Sequence, residues 1–299
     1  MSIVRTIVDA GSGSGSGVDT SSGDASAWHL KTGKKAWVDG VEITGSSYNP
    51  PMMHFGNANT SPITGYYSKT GITVAGNKAT LIFRFKRAAF SGASVEAIAF
   101  MRGGASSRTR AGAYIYSSNH ATAGLRSKLQ ISVQNSAGTT ICNLISTNAI
   151  ADDIAHTVVF AFNGDTGSAS FVIDGSDADD TGNASRVTPT TGTLESGSAA
   201  KFSVGINDAV SGLFKFQGQV GFVGYRDAYL TNSTGFMQTD GTPKSLDETT
   251  WAEWSGGSVT SPQGRPLFWN PAGDMVNNLG TAGAMTKNGT INVGTGGST

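Results

Sequence analysis

The sequence predicts an all-β sandwich, and three observations carry the prediction: strand-like runs alternating at period two, turn dipeptides between them, and a glycine-rich, charge-poor composition. Glycine numbers 41 of 299 residues and charged residues make up 14%, against roughly a quarter charged in ordinary domains. The 38% hydrophobic share arrives in alternating runs, which argues against disorder. The glycines lack the three-residue period of collagen. A chain of this length fits one large β domain.

The clearest piece is His156 to Gly175, which reads as two strands and two turns. His156, Val158, Phe160 and Phe162 fall on one face, and Phe171 and Ile173 do the same around Val172. Asn163-Gly164 and Asp174-Gly175 tolerate positive φ and mark the turns. Upstream, Leu81, Phe83 and Phe85 alternate with Ile82, Arg84 and Lys86. Val95 to Met101 and Ala111 to Tyr116 are further strands, and Leu129, Ile131 and Val133 alternate with Lys128, Gln130, Ser132 and Gln134. Thr139 to Ile145 is strand-like and holds the single cysteine, Cys142, which reads as a buried free thiol.

Downstream, Phe214, Phe216, Val220 and Phe222 are expected on one face, with Gly218 and Gly221 signalling a bulge or bend. Residues 266–271 and 284–291 read as terminal strands. The one helix signal is Pro243 to Trp254: Ser245 and Glu248 form a capping box, Gly256 suits the C-terminal cap, and Leu246, Trp251 and Trp254 would be buried. Many strands and one short helix in the C-terminal half suggest a jelly roll.

Residues 1–27 read as a flexible N-terminal arm, in which Gly11 to Gly17 is a Gly/Ser linker behind an apolar tip of Ile3, Val4, Ile7 and Val8. Residues 28–299 are expected to form the single sandwich domain. The tip suits a contact across a subunit boundary. The N-terminus shows no apolar h-region and no run is long enough to cross a bilayer. Synthesis in the cytoplasm without a signal peptide is therefore expected.

With 21 basic and 21 acidic residues, the chain offers no electrostatic reason to expect nucleic acid or a membrane as partner. Low charge at zero net charge suits a place inside an assembly.

The hairpin resembles the concanavalin A-like, laminin G-like jelly roll, in which a strand opening on His or Trp runs to an Asn/Asp-Gly turn and a second strand ends at Asp-Gly. His156, Asn163-Gly164 and Phe171-Val-Ile-Asp174-Gly175 stand at those places. Phe202-Ser-Val-Gly-Ile206 and Phe216-Gln-Gly-Gln-Val-Gly-Phe222, then Tyr225 and Leu230, match the strands that follow in that family. The resemblance spans roughly residues 80 to 232. From Trp269 through Gly289, the chain is similar in style to the tails of jelly-roll proteins in tailed-bacteriophage particles, as is its Gly/Ser/Thr/Asn-rich texture.

The fold hosts lectins, adhesion modules and hydrolases, so chemistry must be sought in residues. Hydrolases on it carry a Glu-x-Asp-x-Glu-like strand motif, which this chain lacks. Asp247, Glu248 and Glu253 cluster on the predicted helix, where capping and a solvated face explain them. No Gly-x-Ser-x-Gly elbow, His-Glu-x-x-His or phosphate-cradling loop occurs, and His29, His54, His120 and His156 lack companions in sequence. His156 reads as a core-edge residue. The acidic loop Asp174, Asp177, Asp179, Asp180 offers the oxygen chemistry calcium prefers, and the resemblance implies calcium at rim loops, but EF-hand spacing is absent and a solvated loop is the plainer reading.

Arg102, Arg108, Arg110 and Arg126 interleave with Tyr114 and Tyr116, a pattern that can stack on bases or sugars or meet an acidic neighbour. The resemblance to tailed-phage jelly-roll proteins, with no catalytic motif beside it, implies a non-enzymatic virion component of a tailed phage, a head decoration, head fibre or tail accessory protein. It would bind other virion proteins as a homo-oligomer, with a trimer favoured, and would need no cofactor or metal. The alternative is a carbohydrate-binding receptor-recognition module of a tail or fibre, with Trp28, Trp37 or Trp269 as stacking platforms. A glycosidase is a third reading.

Overall fold

The computed structural model describes residues 35–38, 41–44, 52–55, 65–88, 95–104, 106, 108–206, 216–231, 268–270, 276, 281–289 and 291–294. The chain divides into two compact units, Met1–Ser47 and Tyr48–Thr299. In the first, β1 (Lys35–Val38) pairs antiparallel with β2 (Val41–Thr44), Trp37 opposite Glu42. The arm, the linker and the helix expected at 243–254 lie outside the described residues.

The second unit is built from β3 (Met52–His54), β4 (Tyr66–Val74), β5 (Lys78–Arg87), β6 (Val95–Arg102), β7 (Thr109–Tyr116), β8 (Leu129–Gln134), β9 (Thr140–Ile145), β10 (Ala155–Asn163), β11 (Ser168–Ile173), β12 (Ser176–Asp177), β13 (Gly197–Val204), β14 (Gly218–Arg226), β15 (Phe268–Asn270), β16 (Thr286–Asn288) and β17 (Asn292–Gly294). One sheet runs β12-β11-β10-β5-β14-β3-β17, with β15 also beside β14. The other, of seven strands, runs β16-β4-β13-β6-β7-β8-β9. Strands distant in sequence are neighbours, as when β5 lies between β10 and β14, and this interleaving is jelly-roll topology.

The core is the layer between the sheets. Leu81, Phe83 and Phe85 face it from β5, opposite Phe160, Val158 and His156 of β10. Ala113, Ile115, Leu129, Ile131, Val133 and Leu144 line it from the seven-stranded sheet. The alternation read from the sequence is the pleat itself, since successive side chains point to opposite faces. Cys142 is buried and free within this layer, and burial pushes its thiol up to about 12. Such a thiol is inert at neutral pH.

Both turns fall where the sequence marks them, but the positive φ of the first lies at Gly167 (φ +66°) and not at Asn163-Gly164. β10 and β11 pair from Asn163↔Ser168, leaving residues 164–167 as the connection. A Cβ on Gly164 would lie 2.3 Å from the Gly192 carbonyl oxygen, so the close approach requires glycine. β11 and β12 are joined by Asp174 (φ +50°) and Gly175 (φ +83°), the two positive φ values of a type I′ hairpin turn.

The bulge signalled by Gly218 and Gly221 is present, and it overturns one expectation. In the β14–β5 register, Val220 faces Phe85 and Val223 faces Phe83, so two residues of β14 oppose Arg84 alone. Val223 and Tyr225 therefore continue the core face, and Phe222 falls outside the core cluster. Strict alternation had placed Phe222 with Val220; the extra residue shifts the phase. The strands expected within 266–271 and 284–291 are found as β15 on β14 and β16 on β4, and β17, just beyond the second range, adds to them on β3.

Candidate functional site

The outer face of the seven-stranded sheet carries the most chemically equipped surface among the described residues. Core-facing Ala111, Ala113 and Ile115 leave Gly112, Tyr114 and Tyr116 of β7 pointing outward. Gly112 pairs with Ser132 and Tyr114 with Gln130 of β8, and Ser132 pairs in turn with Asn143 of β9. Phe100 of β6 lies opposite Gly112, and its ring covers that glycine: a Cβ there would sit 2.2 Å from the Phe100 Cε1. Tyr114 then meets Phe100 edge-to-face at 4.5 Å between centroids. The ring of Tyr114 is thus fixed by a buried phenylalanine that only glycine admits.

Beside it, Tyr116 is held by a directional chain of hydrogen bonds. Its hydroxyl donates to Gln130 Oε1, Gln130 Nε2 donates to Asn143 Oδ1, and Asn143 Nδ2 donates 2.7 Å to the Ser185 carbonyl. The Ser185 end is anchored because residues 183–190 run along β9, with an Asn143↔Val187 bridge. With its proton committed, Tyr116 Oη presents lone pairs outward, and Gln130 keeps one free N–H. Burial, then the neighbouring Tyr114, raises the Tyr116 phenol above its ordinary value, so it stays protonated. Gln134 completes the row, its Oε1 accepting the Thr109 N–H at 3.2 Å. Tyr114, Tyr116, Gln130, Ser132 and Gln134 are all half-buried.

One end of the face is bounded by residues 117–127. His120 packs edge-on against Tyr116 at 4.6 Å. Its Nδ1 accepts the Thr122 N–H at 3.2 Å, and its carbonyl accepts Arg126 Nε at 2.9 Å. The turn is closed by Ser127 at φ +54° and includes a single 3-10 turn, Ala123–Leu125. Asn183 Nδ2 donates to the Gly124 carbonyl, tying this loop to the segment beside β9.

The residues singled out in the sequence go to different places. Of the interleaved arginines, Arg110 is fully buried: it donates to Tyr225 Oη (3.1 Å), Asp227 Oδ1 (3.1 Å) and the carbonyls of Glu195, Ala75, Gly76 and Lys78. It clamps the β4–β5 turn to the end of β14 and is not a surface cation, which corrects the expectation for this residue. Arg102 is 3% exposed, leaving Arg108 half-buried and Arg126 exposed. The tyrosines of that pattern do reach the surface.

The acidic loop disperses. Asp174 accepts from the Thr157 N–H at 2.8 Å and contacts His156 Nδ1 at 2.6 Å. Asp179 forms a bidentate pair with Arg186, with Nη2 to Oδ2 at 2.6 Å, and Asp180 faces Lys128 at 3.8 Å. Asp177 Oδ1 accepts the Asp179 N–H. These carboxylates spend their charge on protein partners, and among the described residues no group of three or more His, Cys, Asp or Glu could hold a metal ion. His156 sits at the core edge as expected, its ring 6.0 Å from Phe85.

Trp28, Trp251, Trp254, His29 and the acidic trio Asp247, Glu248 and Glu253 lie outside the described residues. Trp37, Trp269 and His54 fall in β1, β15 and β3, their side chains likewise outside. The residues of this face that sequence reasoning did not single out are Gln130, Asn143 and Phe100. The signal for Gln130 was present, since alternation put it opposite the core face with Ser132 and Gln134.

Fold and face together define a jelly-roll β-sandwich with an aromatic and amide-lined sheet surface. No protein-family model matches the chain, and no curated protein matches it. Among solved structures, the chain is similar to the native heptameric SAP-like pentraxin of Limulus polyphemus, with a TM-score of 0.50 and 13% identity over 82% of this chain and 95% of that one. This likeness shows the concanavalin A-like fold. A candidate carbohydrate-binding protein of Bacteroides ovatus superposes with a TM-score of 0.48 and 12% identity, over 85% of this chain and 63% of that one. Domains LG4-5 of the mouse laminin α1 chain follow at 0.38 and 12%, over 60% and 43%.

Proposed function

We propose that this chain is a carbohydrate-binding domain that holds a glycan on the outer face of its seven-stranded sheet. The observation that carries the reading is the pair Tyr114 and Tyr116, half-buried and fixed, standing beside a row of amides and hydroxyls. A sugar offers an apolar ring face and a rim of hydroxyls, which such a surface matches with aromatic contact and directional hydrogen bonds. The relay through Gln130 and Asn143 orients the polar groups before binding, so less ordering is needed when the ligand arrives.

Binding without turnover is part of this proposal, as is a setting in a phage tail or fibre. The support for that setting is the composition and the style of the C-terminal segment. A closed homo-oligomer is proposed too, supported by zero net charge and by the heptameric state named for the Limulus pentraxin. A trimer or a larger ring would be told apart by light scattering, repeated after deletion of residues 1–17.

The test of the binding reading is a glycan array followed by calorimetry on any hit. Tyr116→Ala is expected to weaken binding about tenfold or more. Equal affinity of wild type, Tyr114→Ala and Tyr116→Ala would remove this face from consideration, and release of shorter sugars from a bound polysaccharide would replace binding with hydrolysis.

A further inference from the structure

We infer that the glycan is acidic, and that Arg126 receives its carboxylate at the end of the face beside Tyr116. This inference rests on the carbohydrate-binding reading and adds the class of ligand.

The segments beside the Tyr116 end carry Lys128, Arg186 and Arg126, and Asp179 and Asp180 lie on the segment tied to this loop through Asn183 and Gly124. Asp179 is taken by Arg186 through both oxygens, and Asp180 by Lys128. Lys128 Nζ also donates to the Thr147 carbonyl. Of these three cations, Arg126 is the one that forms no ion pair with a carboxylate among the described residues.

The side chain is also placed. Its Nε donates 2.9 Å to the His120 carbonyl, which fixes the guanidinium from one edge, and the His120 ring is the group packed on Tyr116 at 4.6 Å. With Nε engaged, the free edge of the guanidinium is the one bearing Nη1 and Nη2. Two parallel N–H donors on that edge match the two oxygens of a carboxylate, a geometry that lysine cannot offer. Arg126 is exposed and Tyr116 half-buried, so the arrangement is a ring platform with a cationic fork at its end. A sugar acid lying with its ring on Tyr116 would carry its carboxylate toward that fork.

Two kinds of glycan supply such a group, uronic acids within a chain and sialic acids at its terminus, and the experiment separates them. Binding is measured by calorimetry for hexagalacturonate against its fully methyl-esterified form, and for sialyllactose against lactose. Wild type, Arg126→Gln, Arg126→Lys and Tyr116→Ala are compared at 50 and 300 mM salt, with folding checked by circular dichroism. The expected result is that one acidic member binds at least tenfold more tightly than its neutral counterpart. That advantage should shrink at high salt and be lost in Arg126→Gln, with Arg126→Lys recovering only part of it. Whichever acidic member binds identifies the source.

Equal binding of acidic and neutral members, unaffected by Arg126→Gln yet abolished by Tyr116→Ala, would overturn the acidic ligand and leave the carbohydrate-binding reading standing. An acidic preference that Arg126→Gln leaves intact would overturn the role of Arg126. Binding of none of the four sugars, with none on a broad array, would overturn both.

Discussion

Glu96 should make the stability of this protein fall as pH rises through neutrality. The residue points between the sheets at one end of the core, 1% exposed, and its Oε1 accepts the Gln217 N–H at 3.0 Å. Its charged partner is Arg87, fully buried, with Nε to Oε2 at 3.5 Å, and Arg87 Nη1 lies 3.5 Å from Asp152 Oδ1. Neither approach is a hydrogen bond, and Arg87 Nε, Nη1 and Nη2 and Glu96 Oε2 make none. Burial therefore outweighs the attraction of Arg87 and raises the carboxyl from 4.5 to about 8.

A raised native value means that the folded state keeps a proton the unfolded chain has released. The stabilisation is complete below pH 4.5 and is lost as pH climbs to about 8. Over that interval of about 3.5 units the ceiling is about 5 kcal/mol at 1.36 kcal/mol per unit. Glu96→Gln keeps the shape and the acceptor for Gln217 while removing the titration. Urea unfolding of both proteins at pH 5, 6.5 and 8 should show the variant gaining on the wild type by several kcal/mol across the series. Parallel stability curves would refute the reasoning and show Glu96 ionised and paired throughout.

Other outcomes follow from the same packing. Gly112→Ala places a methyl group 2.2 Å from the Phe100 ring, and should cost about 1–3 kcal/mol and weaken glycan binding through Tyr114; thermal melting and calorimetry check the two effects. Arg110→Met strips the donor from four carbonyls and leaves the half-buried Asp227 beside Tyr225 without its cation, with an expected loss of about 3–5 kcal/mol in urea melts. Millimolar calcium, or its chelation, should move the melting temperature by less than about 1 °C, because Asp174 and Asp179 are already engaged by His156, Thr157 and Arg186; a larger shift would show that the acidic loop binds the ion after all.

Much of the sandwich was legible because half-buried strands write the pleat into the sequence. Leu129, Ile131 and Val133 alternate with Gln130, Ser132 and Gln134, and the structure puts the first set in the core and the second on the outer face. Asp174-Gly175 likewise states its own turn, since few other pairs accept two positive φ values. The candidate site was half legible. Tyr114 and Tyr116 stood out as aromatics among arginines, but their partners Gln130, Asn143 and Ser185 arrive from later strands, and pairing order is a tertiary property that no local pattern carries. Arg110 misled for a related reason. An arginine between alanine and threonine reads as a surface residue, and only the convergence of Ala75, Lys78, Glu195, Tyr225 and Asp227 makes its burial tolerable.

The bulge in β14 sets the phase of everything beyond it. Because Gly221 and Phe222 share one place in the pleat opposite Arg84, the count of residues between Val220 and Tyr225 decides whether the Tyr225 hydroxyl reaches inward to Arg110 or turns away from it. Shortening this strand by one residue would keep nearly all its amino acids and reverse the hand each deals to the interior. Insertions and deletions here should be tolerated far less than substitutions, so length at this point is itself an inherited character of the fold.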